Sequence, residues 1–181
     1  MRLMLLVAVL TAGWSVFGRA EDAPFTSGEA KHLSNLRQVT SKFPRAGEGY
    51  FSPDGKEIIY QAFPIGYPFY QIFVQPLQPD GKPRMISTGR GRTTCAYFSR
   101  DGKGLLFASS HADPMIEQTE KAARELEAKG GRRRYEWDFD PYMDIYTINH
   151  DGTGLKRLTD APGYDAEGSY SQDGKHIVFT S

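Results

Sequence analysis

The chain holds 181 residues, with 22 Lys or Arg balanced by 22 Asp or Glu, for a formal net charge of zero. A chain with no basic excess lacks the electrostatic footprint of a nucleic-acid binder. Its single cysteine, Cys95, excludes an internal disulfide framework.

Residues 1–20 read as a secretory signal peptide. Arg2 supplies the charged start, residues 3–10 an apolar core, and Gly18-Arg19-Ala20 a small-x-small cleavage site. A transmembrane anchor is the competing reading, but Thr11, Gly13 and Ser15 interrupt the apolar run, which falls short of the about 20 residues that a bilayer span needs. The expectation is an exported protein, periplasmic or extracellular, with no stable membrane span after cleavage. Losing Arg2 and Arg19 would leave 20 basic against 22 acidic residues. No cysteine lies near the site to carry a lipid. Residues 21–34 are polar, have no clear periodicity and read as a linker.

From residue 35 onward the sequence is strand and turn, and one phrase recurs. Phe51-Ser52-Pro53-Asp54-Gly55-Lys56 leads to Ile58-Ile59-Tyr60, Phe98-Ser99-Arg100-Asp101-Gly102-Lys103 to Leu105-Leu106-Phe107, and Tyr170-Ser171-Gln172-Asp173-Gly174-Lys175 to Ile177-Val178-Phe179. Each copy reads as a hairpin: Ser opens the turn, Asp bonds its own backbone, and Gly takes the left-handed position that closes it. Asp54 with Gly55, Asp101 with Gly102 and Asp173 with Gly174 are thus the structural turns of a repeat. The triplet after each turn is apolar on both faces, so its strand must be covered on both sides.

A second phrase keeps step, because Thr40, Ser87 and Thr159 each lie fourteen residues before a turn Asp. Strands are expected at residues 37–40, 48–52, 57–62, 70–75 and 84–87. Four short antiparallel strands on such a period make a propeller blade. The residue five before each turn Asp is Gly49, Ala96 or Gly168, as a crowded inner strand demands. Phe51, Phe98 and Tyr170, three before the Asp, are expected to pack against the next blade. Glu48 and Glu167, each six before a turn Asp, are placed to point into a central channel. In the run Thr93-Thr94-Cys95-Ala96-Tyr97 the cysteine reads as a buried structural thiol rather than a nucleophile.

The second repeat is longer than the first by an insertion at residues 111–137. Its first half has a helix's punctuation, with Asp113 as N-cap, Pro114 at the first helical position and Gly130-Gly131 at the end. Met115, Ile116, Thr119, Ala122, Ala123 and Leu126 form the apolar stripe expected to dock on the blades, and Glu117-Lys121, Glu120-Arg124 and Glu125-Lys129 pair on the wet side.

Beyond the helix, Arg132, Arg133, Arg134, Tyr135, Trp137, Asp138 and Asp140 are the candidate partner-binding residues, since Arg, Tyr and Trp anchor binding hot spots and insertions decorate one propeller face. The same residues also suit plain packing of the insertion, and both readings stand at this point. Asp138, Asp140 and Asp144 match no calcium loop, so no metal is expected, and no cofactor motif is present. There is no nucleophile elbow and no His-Glu-x-x-His, and His32, His111, His150 and His176 are scattered. No catalytic residue is assigned. Gly89-Arg90-Gly91-Arg92 falls at a blade junction, where glycine turns are expected.

Ser-x-Asp-Gly with its apolar triplet, then Ile72-Phe73-Val74 or Ile145-Tyr146-Thr147, then a Leu/Ile-Thr/Ser strand, resembles the WD40-like PD40 repeat of TolB-like β-propeller proteins. The resemblance covers residues 35–181, with Phe or Tyr where Trp is commoner and Pro in one copy only. No separate N-terminal α/β domain of the TolB kind is visible before residue 35. The resemblance implies an all-β fold: a partial β-propeller of four-stranded antiparallel blades with one helical insertion. The blades fall at about 42–88 and 89–160, with a partial blade at 161–181. Propellers close with at least four blades, so the remaining blades of a longer protein are expected to complete the ring, with residues 36–40 as an outer strand. The function implied is a non-enzymatic module binding a protein or peptide partner. The alternative is the gating propeller of a longer serine hydrolase of the prolyl oligopeptidase or dipeptidyl-peptidase kind, and fold alone does not choose between them.

Overall fold

The computed structural model describes residue 28 and residues 31–130 and 139–181. It divides into two units, residues 1–37 and 38–181. The described part of the first unit, residues 28 and 31–37, contains no strand. The second unit is built of blades. Strands β1 (Ala46–Phe51), β2 (Glu57–Ala62), β3 (Gln71–Pro76) and β4 (Arg84–Met85) form one antiparallel sheet in that order. The next sheet runs β5 (Thr93–Phe98), β6 (Gly104–Ser109), β7 (Tyr142–Asn149), β8 (Lys156–Arg157), and β9 (Gly163–Tyr164) joins it by pairing parallel to β7. Strands β10 (Ala166–Tyr170) and β11 (Ile177–Thr180) open a third. The architecture is a partial β-propeller of antiparallel blades, and among the described residues one helix, α1 (Ile116–Ala128), is inserted between β6 and β7.

The three turns share one wiring. Ser52 Oγ donates to Asp54 Oδ1 at 2.7 Å and accepts from the Glu57 N–H, while Asp54 takes the Lys56 N–H. Ser99 with Asp101 and Ser171 with Asp173 repeat this at 2.7 and 2.6 Å. Gly55, Gly102 and Gly174 hold φ of 69°, 71° and 71°, where a Cβ is costly. Donation from the Ser hydroxyl, then from the Lys backbone, holds each of the three Asp carboxyls below its ordinary range.

Consecutive apolar residues face opposite seams. Leu105, Phe107, Tyr146 and Ile148 pack with Ile59, Ile72, Val74 and Ile86 of the first blade. Leu106, Ala108, Met143 and Ile145 pack with Tyr164, Ala166, Tyr170 and Ile177 on the other side. The doubly apolar triplet therefore belongs to a sheet sandwiched between two neighbours. On the outer face of the first blade, Phe43 covers Phe73 and Tyr60 at ring distances of 4.5 and 5.9 Å.

Four details depart from the sequence reading. Residues 36–40 form no strand, and the Val39 carbonyl instead accepts from Gln75 Nε2. A strand exists only where an edge receives it. Phe51 is 68% exposed, whereas Phe98 is buried in the first seam and Tyr170 packs on the second. The latter two lie against the preceding blade rather than the next, and among the described residues Phe43 packs on the corresponding face of the first blade. The helix begins at Ile116 rather than Pro114, because the Asp113 carboxylate takes the Met115 N–H at 2.7 Å and so closes a turn ahead of the helix. Finally, the buried face of α1 takes in only part of its apolar stripe: Glu120 is the buried residue of the helix, Ile116, Thr119 and Ala123 are half-buried beside it, and Met115, Ala122 and Leu126 are exposed.

Close approach explains the small residues of the inner strands. A Cβ on Gly168 would sit 2.8 Å from Leu106 Cδ2, and one on Gly49 3.0 Å from Ile58 Cδ1. Gly168→Ala is expected to lower stability by about 1–3 kcal/mol through overpacking. Gly47→Ala, whose Cβ would meet nothing within 4 Å, should leave the urea midpoint unchanged or raise it. Equal midpoints for the two variants would refute the crowding account.

Candidate functional site

Two regions gather side chains with functional character. The first lies on the inner strands. Glu48, Cys95 and Glu167 have φ of 46°, 53° and 60°, and each sits at a break in register, between Gly47 and Gly49, Thr94 and Tyr97, and Ala166 and Ser169. Each is a β-bulge, one extra residue in the left-handed conformation, placed where the strand lines the inner edge of its blade. The three converge. Burial pushes the Cys95 thiol up to about 12, and both Glu48 and Glu167 add to the shift. Burial, then Glu48, Cys95, Tyr97 and Glu167, raise Tyr50 in the same way, and the Tyr50 and Tyr97 rings lie 4.5 Å apart.

The spacing of six before the turn Asp marks Glu48 and Glu167 in the sequence. Cys95 holds the same position and is the third member. With its thiol buried and Sγ 3.1 Å from Thr94 Oγ1, it is no nucleophile. Among the described residues, no group of three His, Cys, Asp or Glu is arranged to hold a metal.

The second region is where α1 meets the loop between β2 and β3, residues 63–70, and the blade junction, residues 88–92. Glu120, 5% exposed, organises it. Its Oε1 accepts from Tyr67 Oη at 2.8 Å, Arg90 Nε at 3.0 Å and the Gly91 N–H at 3.2 Å, and Arg124 stands 3.7 Å from Oε2. Burial opposes the charged form, but the donors from Tyr67, Gly91 and Arg90 outweigh it and hold the carboxyl below its ordinary value. Burial and the facing carboxylate push the Tyr67 phenol upward.

Around this node guanidinium groups lie on aromatic rings: Arg124 over Tyr67 at 5.6 Å, Arg92 over Phe69 at 4.3 Å, Arg45 over Tyr70 at 5.5 Å. Arg92 also pairs with Asp140 at 3.2 Å. Beside that pair, a cleft of about 310 Å³ is lined by Asp113, Met115, Phe139 and Tyr142. Ile65 in the β2–β3 loop and Phe139 at the cleft are 86% and 70% exposed, and the Phe139 ring stacks on Tyr164 at 5.6 Å.

Of the residues expected to bind a partner, Asp140 is described: it is buried, holds Arg92 and accepts the Tyr142 N–H at 3.0 Å. Arg132, Arg133, Arg134, Tyr135, Trp137 and Asp138 lie outside the described residues. Asp144 does not join Asp140 in an oxygen cluster. It bonds Arg157 at 2.6 Å, and burial raises its carboxyl. Sequence reasoning missed Tyr67, Arg90 and Gly91 as a unit and put Glu120 on the wet side of its helix. The signal that could have found them is the Gly89-Arg90-Gly91-Arg92 run, whose glycines leave the backbone N–H of residue 91 open to a buried acceptor.

These blades define a class, the β-propeller, here with a helical insertion on one face. The protein is similar to the putative TolB from Agrobacterium tumefaciens, with a TM-score of 0.55 and 21% identity over 77% of this chain and 39% of that one. It is also similar to TolB from Acinetobacter baumannii, with a TM-score of 0.51 and 24% identity over 74% of this chain and 26% of that one. The fold is TolB-like, and the match spans well under two thirds of either solved structure. No protein-family model matches the sequence. Among the described residues no helix is long and apolar enough to cross a membrane.

Two measurements check the site. A carboxyl held below its ordinary value stabilises the fold above the unfolded-state pKa, and that stability is lost as pH falls through the folded value. Docking of α1, read by amide hydrogen exchange, should therefore weaken on acidification below the usual carboxylate range. Glu120→Gln should remove that dependence, and an unchanged acid profile in the variant would rule out Glu120 as its source. With its thiol near 12, Cys95 is roughly one part in ten thousand thiolate at about pH 8. Disulfide reagents should label it only as the protein unfolds, and fast labelling of the native state would contradict its burial.

Proposed function

We propose that this protein belongs to an exported, non-enzymatic propeller of the PD40-repeat kind that binds a protein or peptide partner through the face made by loop 63–70 and the insertion. The observation that carries this reading is the set of arginines stacked on aromatic rings around buried Glu120. Arg and Tyr dominate binding hot spots, and side chains already held in place lose little entropy when a partner arrives. Exposed Ile65 in the loop and Phe139 at the cleft add apolar area. Arg132 to Arg134, Tyr135, Trp137 and Asp138 belong to this insertion and extend the proposed partner-binding set, with Asp140 fixing its base.

Export rests on residues 1–20, and mature protein should begin at Glu21 by N-terminal sequencing. An uncleaved product would remove that part of the reading. Phe51, Val178 and Phe179 present exposed apolar surface of the kind a neighbouring blade covers, which supports further blades in the complete ring.

The partner reading is tested by chemical cross-linking in the exporting cell. The double variant Ile65→Asp, Phe139→Ala changes two largely exposed side chains, and although it removes the Phe139 ring 5.6 Å from Tyr164, it should keep its β signal with at most a small drop in melting temperature. It should also lose the cross-linked partner that the parent protein captures. Capture that survives both substitutions would move the binding surface elsewhere.

A further inference from the structure

The contact that holds α1 has the form of a ligand in a receptor. All three donors to Glu120 Oε1 belong to the blades: Tyr67 Oη from the β2–β3 loop, Arg90 Nε and the Gly91 N–H from the junction. The Gly91 N–H is positioned by the blades alone, whereas the Arg90 guanidinium also reaches Glu117 of α1 at 4.0 Å and Arg124 of α1 lies over the Tyr67 ring. Gln71, fully buried, donates from Nε2 to the Gly91 carbonyl at 2.8 Å and accepts from the Gly89 N–H and Ser87 Oγ at 3.0 and 2.7 Å. Gly91 holds φ at 68°, and a Cβ there would lie 2.9 Å from the His111 backbone nitrogen, so only glycine fits the bend that aims its N–H. A backbone N–H, a phenol and a guanidinium converging on one oxygen are the elements of a carboxylate receptor.

The helix is held much more loosely. Glu120 is its buried residue, and its apolar side chains are at most half-buried. A helix of 13 residues has little stability of its own in water, and this one is secured by polar contacts rather than by an apolar face.

From this we infer that Tyr67, Arg90 and Gly91 form a carboxylate-binding site which the protein's own Glu120 occupies, and that a partner's carboxylate takes the same place when α1 lifts away. The ligand class is a carboxylate, from an Asp or Glu side chain or from a polypeptide's free C-terminus. The helix is then an internal competitor, and apparent affinity for the partner is reduced by the fraction of time that Glu120 fills the site. The inference builds on the reading of this face as the partner-binding surface and names the chemistry that the face selects.

The test uses the full-length protein and three short Gly/Ser peptides bearing a neutral fluorophore. One has a central Glu and an amidated C-terminus, one has no acidic side chain but a free C-terminus, and one has neither. Glu120→Ala should bind a carboxylate-bearing peptide at least about tenfold more tightly than the parent protein, by relief of internal competition. Whichever peptide gains identifies the source of the carboxylate. Adding Arg90→Gln to Glu120→Ala should abolish the gain.

Equal affinities in parent and Glu120→Ala, a gain shared by the neutral peptide, or a gain that survives Arg90→Gln would each overturn the proposal. So would loss of the β signal in Glu120→Ala, because the receptor must stand without the helix. Peptide affinity reads the node alone, while the Ile65 and Phe139 substitutions read the wider face, so the two proposals can fail separately.

Discussion

A sheet whose middle strands are apolar on both faces cannot stand alone, and the rest of this structure follows from that constraint. Leu105, Leu106, Phe107 and Ala108 are fully buried although they are consecutive, and consecutive strand residues point to opposite sides. Burying a Leu or Phe side chain is worth roughly 1.5–3 kcal/mol, so a blade exposed on either face would forfeit several such terms. Each blade therefore requires two neighbours, and the sequence answers by repeating one module. The hairpins that enforce the repeat are polar and exposed, and their role is to return each strand in register rather than to add core.

The α1 insertion is attached by a different kind of interaction. Its contact with the blades is a buried carboxylate satisfied by three donors, not an interdigitated apolar face. A buried charge is tolerated only when its partners are in place, so the node is specific, and the contacts that add to it, such as Arg90 with Glu117 and Arg124 over Tyr67, are exposed polar ones. Blades and insertion thus differ in what secures them, and an element that can open separately from the core is the usual material of binding surfaces.

The inner-strand bulges show how a repeat can fix conformation while leaving chemistry free. Glu48, Cys95 and Glu167 occupy one position in three copies and share the left-handed conformation, yet one is a thiol pushed out of the thiolate range and two are exposed carboxylates. Backbone geometry there answers to the crowding of Gly49, Ala96 and Gly168 beside it, and the side chain is left to vary.

The sequence by itself determined the repeat, the class of fold and the wiring of the turns. These depend on local chemistry, the Ser-Asp-Gly hairpin and the two-sided apolar triplet, which can be read within a few residues. The small inner-strand positions and the spacing of Glu48 and Glu167 were legible for the same reason, since they recur in step with the turn. Only the tertiary structure decided which face of α1 is buried. By helical periodicity the whole stripe from Met115 to Leu126 belongs inside and Glu120 outside, but the surface that receives the helix offers a phenol, a guanidinium and a backbone N–H, so the helix turns Glu120 inward with Ile116, Thr119 and Ala123 half-buried beside it and leaves Met115, Ala122 and Leu126 exposed. The grouping of Tyr67, Arg90, Gly91 and Glu120 spans fifty-three residues of sequence, and no local pattern could bring its members together. Likewise residues 36–40 have the composition of an outer strand but form none, because strand structure is completed by the edge that receives it, and that edge is a property of the assembled fold.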